Sequence, residues 1–412
     1  MPDKEIKKKV FVSTPFCHCS LRKIEAVKLQ NYFLLNNYII VNSYTDADYH
    51  LCVTCAVTNA NIQNHINFIK ENQNLPAELI IMGCLPGTNP EELDAVFTGK
   101  KVITKNINDI DKYFPDFKIK FHQVPEVYSY DTGEFYMFTD NINSLTYRDL
   151  LFKYGFSKTF FRQLKRKQQY QPFIKANKNY NTSVPCFLRI SSGCANNCAY
   201  CNIREAIGKI KSKSIDCLIE EYSNLLKQGY RHFNFIAEDL CSYGLDNDNS
   251  LNELLVALSV VDKDYKVKWA LNGINPNWLA LNYKHFGLLF ESKIWEIMIA
   301  IESGSDRIIE LMNRHYKIKE VEEALLAIRK INPGLRINSL FIVGFPSETD
   351  EDFMETIRIL KSIKFDSVTL SEYSEFEKRA SAKIFPKVNL TTIRERQLLA
   401  KTTLQKLKTS LY

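Results

Sequence analysis

From Lys9 to about Pro115, short apolar runs alternate with amphipathic stretches, which is the pattern of a parallel α/β unit. The runs Val10–Ser13, Tyr49–Thr54 and Leu79–Gly83 predict strands, and Leu21–Asn36 and Ala60–Asn72 predict helices between them. Each predicted strand leads straight into a cysteine. Residues 116–185 break this rhythm, with a turn cluster at Tyr130–Gly133 followed by a basic, aromatic stretch from Thr146 to Tyr180 that predicts a helical connector or insertion. The alternation returns at Cys186. Strands are predicted at Phe187–Ile190, His232–Ala237, Val267–Asn272, Trp295–Ile301, Ile337–Val343 and Ser367–Ser371, with helices such as Ile215–Gln228, Val321–Lys330 and Asp350–Ser362 among them. Six strand–helix repeats predict an open or partial (β/α) barrel, and Thr391–Leu411, rich in Leu and Lys, predicts a final helix. The expected division is therefore 1–115, 116–185, 186–385 and 386–412.

Composition narrows the class. At 412 residues and 45% apolar content the chain can bury two sizeable cores. The start, MPDKEIKKKVFV, has no apolar stretch or cleavage site of a signal peptide, and no run reaches the roughly 18 apolar residues of a membrane helix. The expected location is the cytoplasm, away from membranes. Eleven cysteines in such a chain point to metal ligation or catalysis rather than disulfides. The formal charge of +7 suits nucleic acid, an acidic peptide or plain solubility, and does not choose among them.

The spacing of the cysteines carries the chemistry. Cys194, Cys198 and Cys201 lie within eight residues, in a loop after the first strand of the second domain. Three thiolates so placed can close around a [4Fe–4S] cluster and leave its fourth iron open to chelate S-adenosylmethionine (SAM). The alternative is a zinc site, which wants a fourth ligand nearby. Cys17, Cys55 and Cys84 are unrelated by spacing but related by topology, since each follows a predicted parallel strand and α/β folds assemble their sites at that edge. They predict either a second cluster or three independent buried cysteines.

These residues resemble the radical SAM methylthiotransferases, which insert a methylthio group into a tRNA adenosine or a ribosomal-protein aspartate. Thr14-Pro-Phe-Cys17, the run Ala47–Cys55 and Met82-Gly-Cys84-Leu look like the cluster motifs of that family's first domain. The run Leu188–Cys201 looks like its SAM-cluster motif, and Ile236–Gly244, Ile301–Arg307, Met312-Asn-Arg314 and Ile342–Thr349 follow in order. The resemblance implies a flavodoxin-like α/β domain followed by a partial (β/α)6 radical SAM barrel. It also implies two [4Fe–4S] clusters, held by Cys17, Cys55 and Cys84 and by Cys194, Cys198 and Cys201, and an external electron donor. SAM would serve both as methyl donor and as radical source, the first-domain cluster carrying the sulfur. Tyr200, Glu238, Ser303 and Arg314 are the expected SAM contacts, and no catalytic side chain beyond the cluster ligands is assigned. Glu302 stands where family members often have Gln. Cys19 is an alternative to Cys17, Cys52 is expected in the core, and Cys186, Cys217 and Cys241 read as small apolar residues.

Family members typically continue into a TRAM domain that engages the substrate, whereas this chain stops at Tyr412, and Tyr373–Ala382 lacks the Gly-Thr found there in relatives. Between Thr146 and Tyr180 stand nine Lys or Arg, one acid, Asp149, and nine aromatics. Such a stretch suits single-stranded RNA, an acidic extended peptide or a solvated helix packed on the barrel. Three readings follow: a methylthiotransferase acting on a peptide or ribosomally made precursor peptide; a tRNA methylthiotransferase whose connector replaces TRAM; and a cluster-carrying scaffold without radical chemistry. The missing domain favours the first.

Overall fold

Five short strands at the start of the chain pair in parallel in the order β2-β1-β3-β4-β5. They are β1 (Lys9–Ser13), β2 (Ile39–Ile40), β3 (Tyr49–Thr54), β4 (Glu78–Gly83) and β5 (Lys100–Ile103). This computed structural model describes residues 7–17, 19–124, 126–129, 185–407 and 409–411. The strand order 2-1-3-4-5 is the flavodoxin-like one, whose switch point lies between β1 and β3. Helices Ser20–Leu35 and Asn59–Asn72 cover the sheet, the second starting at Thr58, whose hydroxyl accepts from the Asn61 amide. The predicted strands and helices of this domain lie within one residue of their expected bounds. The two additional strands, β2 and β5, are too short or too basic to read as apolar runs.

The second sheet has eight strands. It is edged by β6 (Val127–Ser129), antiparallel to β7 (Cys186–Arg189). After a two-stranded ribbon, β8 (Ser191–Ser192) with β9 (Lys211–Ser212), come β10 (His232–Ile236), β11 (Lys268–Ile274) and β12 (Ile294–Glu302). β13 (Arg336–Val343), β14 (Ser367–Glu372) and β15 (Ser410–Leu411) complete it. From β7 through β10–β14 the strands are parallel and neighbours in chain order, as a partial (β/α)6 barrel requires. Intervening helices begin at strong caps, Ser214, Ser250 and the Thr349–Asp352 capping box. The core includes fully buried Trp269, whose indole donates to Tyr222 Oη at 2.9 Å, while that hydroxyl donates to Asp262 at 2.7 Å. The final helix spans Leu390–Lys406, shorter than expected, because the chain then turns at Leu407 and adds β15 in parallel to β14. Of the predicted connector, 116–185, the described part supplies β6, which joins the barrel sheet beside β7, and the basic, aromatic stretch Thr146–Tyr180 lies outside the described residues. Among those described, no helix is long and apolar enough to cross a membrane.

The two domains meet at the loops and helices that follow their cysteines. Helix Leu85–Thr88 packs on helix Arg204–Ile207 so closely that a Cβ on Gly87 would lie 2.8 Å from Ala206 Cα. Ala206 and Phe376 share one apolar cluster with Cys84, Leu85 and Phe97 of the first domain. Beside it, Glu126 sits between Lys28 of the first domain, at 2.9 Å, and Lys213 of the barrel, at 3.7 Å. Burial opposes its charge, but Arg189, Lys28 and Lys213 outweigh burial and hold its carboxyl down at about 2, against an ordinary 4.5. A depressed carboxyl contributes stability above its unfolded value and loses it as pH falls through the folded one. Replacing Glu126 with Gln is therefore expected to destabilise the chain by roughly 1–3 kcal/mol near neutrality. In urea denaturation series the difference should shrink as pH falls from 4.5 toward 2.

Candidate active site

Cys17, Cys55 and Cys84 follow β1, β3 and β4, and all three are buried. Local structure sets each one. Gly83 adopts φ +101°, and a Cβ there would meet Thr54 O at 2.3 Å, so only glycine lets β4 run this close to the end of β3. The Cys84 amide donates to Thr54 O at 3.0 Å and the Leu85 amide to Thr54 Oγ1 at 3.2 Å, which pins Cys84 beside Cys55. The Cys55 amide donates to His65 Nε2 at 3.1 Å, and burial lowers that imidazole to about 4, keeping it neutral and able to accept. Cys17 beside it, with nearby amides and Arg22, draws the Cys55 thiol down against its burial. Burial pushes the Cys84 thiol up to about 12 despite Arg22, which donates to its sulfur at 3.6 Å. Cys19 is half-buried beside these thiols, raised chiefly by desolvation.

A Gly83→Ala substitution forces the Thr54–Gly83 contact apart and moves Cys84 away from Cys55. The expected result is loss of the iron bound by this set, read as a fall from about eight to about four iron atoms per chain after anaerobic reconstitution.

Cys194, Cys198 and Cys201 occupy the loop between β8 and helix Arg204–Ile207. Asn196 donates to Cys194 Sγ from its backbone at 3.3 Å and its side chain at 3.4 Å, and its amide is also held by Asp239. Asp239 accepts from Ser242 Oγ at 2.6 Å, and Ser242 accepts from the Ala195 amide at 3.2 Å, so the turn after β10 clamps the loop. Burial raises all three thiols, Cys201 to about 11. Among the described residues no three Cys, His, Asp or Glu side chains stand close enough to share one metal ion. A polynuclear cluster asks for wider spacing, since each thiolate takes its own iron. Both sets suit one, since each brings together three buried or half-buried thiols, N–H donors face the sulfurs of Cys84, Cys194 and Cys198, and all the described cysteines are free.

Two of the expected SAM contacts, Tyr200 and Arg314, gather at Cys198, and Ser303 follows Glu302, which both of them meet. Tyr200 Oη donates to Glu302 Oε1 at 2.7 Å, and Arg314 donates to Tyr200 Oη at 3.3 Å, to Cys198 Sγ at 3.7 Å and to Ala300 O at 2.9 Å. Ser303 is fully buried next to Glu302, accepting from the Ser305 amide at 3.2 Å. Glu302 has φ +67° at a bulge between β12 and β13, a conformation that costs a non-glycine residue about 1–2 kcal/mol and is retained where the surroundings require it. Burial raises its carboxyl, with Arg314 and Tyr200 pulling the other way. A recess of about 270 Å³, bounded by Cys198, Arg314, Asn196, Asp239, Asn275 and Trp278, opens beside them. Glu238 stands apart: its carboxylate accepts from Arg22 at 3.0 Å, Arg189 at 3.2 Å and the Gly193 amide at 3.1 Å. Of the remaining cysteines, Cys52 and Cys186 are core, Cys241 accepts from the Asn275 amide at 3.1 Å, and Cys217 is exposed at the start of its helix rather than packed. Sequence reading assigned no role to Asn196 and Asp239, whose signal was position alone, within the cysteine loop or after a strand end, and it marked Glu302 only as a departure from the family pattern.

The two cysteine loops touch. Asn202, next to Cys201, donates to the carbonyl of Ala56, next to Cys55, at 3.2 Å, and the Gly87–Ala206 contact joins the helices that follow Cys84 and Cys201.

Comparison with known proteins agrees with this arrangement. The Radical SAM superfamily pattern matches residues 188–360, and that of Uncharacterized protein family UPF0004 matches residues 9–104. The chain is 26% identical to the threonylcarbamoyladenosine tRNA methylthiotransferase of Thermotoga maritima, over 86% of this chain and 73% of that protein. It is 28% identical to the tRNA-2-methylthio-N(6)-dimethylallyladenosine synthase of Thermosipho melanesiensis, over 92% and 78%. A ribosomal protein uS12 methylthiotransferase of a Thermotoga species is 30% identical over 51% of this chain and 49% of that one. The radical SAM methyltransferase TsrM of Kitasatospora setae shares the fold, with a TM-score of 0.58 at 12% identity over 97% of this chain and 89% of that one. The chain belongs to the radical SAM methylthiotransferase family, enzymes that insert a methylthio group using two [4Fe–4S] clusters and S-adenosylmethionine.

Proposed function

We propose that this enzyme transfers a methylthio group to an adenosine of tRNA. Cys194, Cys198 and Cys201 hold the cluster that binds SAM, and Cys17, Cys55 and Cys84 hold the second. When bound, the first supplies the electron that cleaves SAM and the second supplies sulfur. The residues of the chain do the positioning. Tyr200, Ser303 and Arg314 bound the place of SAM beside Cys198, Arg314 bringing a permanent charge suited to the methionine carboxylate. Asn196 and Asp239 hold the loop in shape, and Glu302 orients the Tyr200 hydroxyl. Glu238 serves the contact between domains rather than the cofactor. An external donor delivers the electron.

The observation that carries the reading is the contact between the two cysteine loops through Asn202 and Gly87, since a group passed from one site to a radical made at the other needs the two side by side. The tRNA acceptor is supported by the two relatives that cover most of the chain, both tRNA enzymes by name. The basic, aromatic composition of residues 146–180 suits a nucleic acid as well. The expectation of a peptide acceptor rested on where the chain ends, and no relative named above acts on a precursor peptide. The test is turnover with unmodified tRNA and, separately, with the ribosomal protein and candidate peptides, followed by mass spectrometry. A methylthio adduct on an adenosine supports the proposal; an adduct confined to protein or peptide overturns the acceptor and leaves the reaction type standing.

A further inference from the structure

Arg22 is 1% exposed, on the first turn of the helix that follows Cys17, and it reaches both domains at once. It donates to Cys84 Sγ at 3.6 Å, to Thr104 Oγ1 and to Glu238 Oε1 at 3.0 Å, and it lies 2.9 Å from Glu25. Arg189 of the barrel meets the same two carboxylates, Glu25 at 3.1 Å and Glu238 at 3.2 Å. Glu238 in turn accepts from the amide of Gly193, the residue before Cys194. A continuous line of contacts therefore runs from a cysteine of one set, through Arg22 and Glu238, to the loop of the other. Four buried charges are a poor way to stabilise an interface, since apolar residues of similar volume do so as well or better. The two arginines and two glutamates balance one another before any thiolate forms, and Arg22 Nε has no partner among the described residues. Each thiolate that takes iron then adds negative charge next to a guanidinium in a low-dielectric setting.

We infer that Arg22 is a positioning residue that acts through Cys84 to raise the reduction potential of the cluster held by Cys17, Cys55 and Cys84; the inference rests on the two-cluster reading above. A cation donating to a ligand sulfur stabilises the more negative, reduced cluster over the oxidised one. The line through Glu238 to Gly193 ties that charge to the radical-generating loop, so the two clusters share one electrostatic environment.

The test uses the chain with Cys194, Cys198 and Cys201 replaced by alanine, which leaves only the cluster in question, and follows its midpoint potential by a redox titration monitored by electron paramagnetic resonance. Arg22→Gln should shift the midpoint downward at unchanged iron content, and Arg22→Lys, which keeps the charge but loses the fork, should fall between the two. An unchanged midpoint in Arg22→Gln with iron retained overturns the inference. Should that variant lose its iron, Arg22→Lys decides alone, a downward shift supporting the inference and an unchanged midpoint overturning it. A parent that holds iron-free thiols and shows no reducible signal refutes the two-cluster reading itself.

Discussion

With alanine at Cys194, Cys198 and Cys201 together, the reconstituted enzyme should form no 5′-deoxyadenosine from SAM under strong reductant, and no methylthio product. Both losses are expected to be complete rather than partial. The proposed SAM contacts, Tyr200, Ser303 and Arg314, would bind and orient it but supply no electron. The fold should survive, because these cysteines are only half-buried and their loop is also held by Asn196, Asp239 and Ser242. Chromatographic quantification of 5′-deoxyadenosine checks this, with circular dichroism to confirm the fold. Cleavage at the wild-type rate would move the radical site elsewhere.

Alanine at Cys17, Cys55 and Cys84 should split the two readouts. SAM cleavage should persist, since the barrel loop and its clamp are untouched, while methylthio transfer falls to background because nothing holds the sulfur. A single substitution in this set is the milder version. Loss of Cys84 leaves the Cys17–Cys55 pair intact but removes the sulfur that Arg22 faces. The rates of 5′-deoxyadenosine and of methylthio product formation, measured on the same sample, give the ratio that matters. A variant that still transfers methylthio at the wild-type rate would deny the first-domain cysteines their part.

The cysteines themselves were legible because chemistry and topology agreed on them. The spacing of Cys194, Cys198 and Cys201 predicts a metal site, a cluster before zinc. Cys17, Cys55 and Cys84 required the step from apolar runs to parallel strands, and then to the edge where β1, β3 and β4 end. The barrel strands were legible for the same reason, as runs of β-branched and aromatic residues such as Trp295–Ile301. Short edge strands were not: Ile39–Ile40 and Ser410–Leu411 are two residues each, and Lys100–Ile103 begins with two lysines. Pairing to a sheet already formed, rather than local preference, makes them strands.

Side-chain direction was the other blind spot. Glu238 was correctly placed at a strand end, but its carboxylate meets Arg22, 216 residues away in sequence, and no local pattern encodes such a contact. The same holds for Gly87 against Ala206, where the small residue is needed only because another domain approaches. Glu302 drew notice as a departure from the family pattern. Its left-handed backbone and its hydrogen bond from Tyr200 give that position a physical role that composition could not supply. Cys217 misled in the opposite sense, since a cysteine inside an amphipathic helix reads as core yet falls on the exposed face of Ile215–Lys227.

The chemistry requires two clusters on facing loops, and iron analysis counts them. Anaerobically reconstituted wild-type chain should bind about eight iron atoms with matching acid-labile sulfide, and each triple alanine variant about four. A wild-type value of about four, unchanged by alanine at Cys17, Cys55 and Cys84, would contradict it.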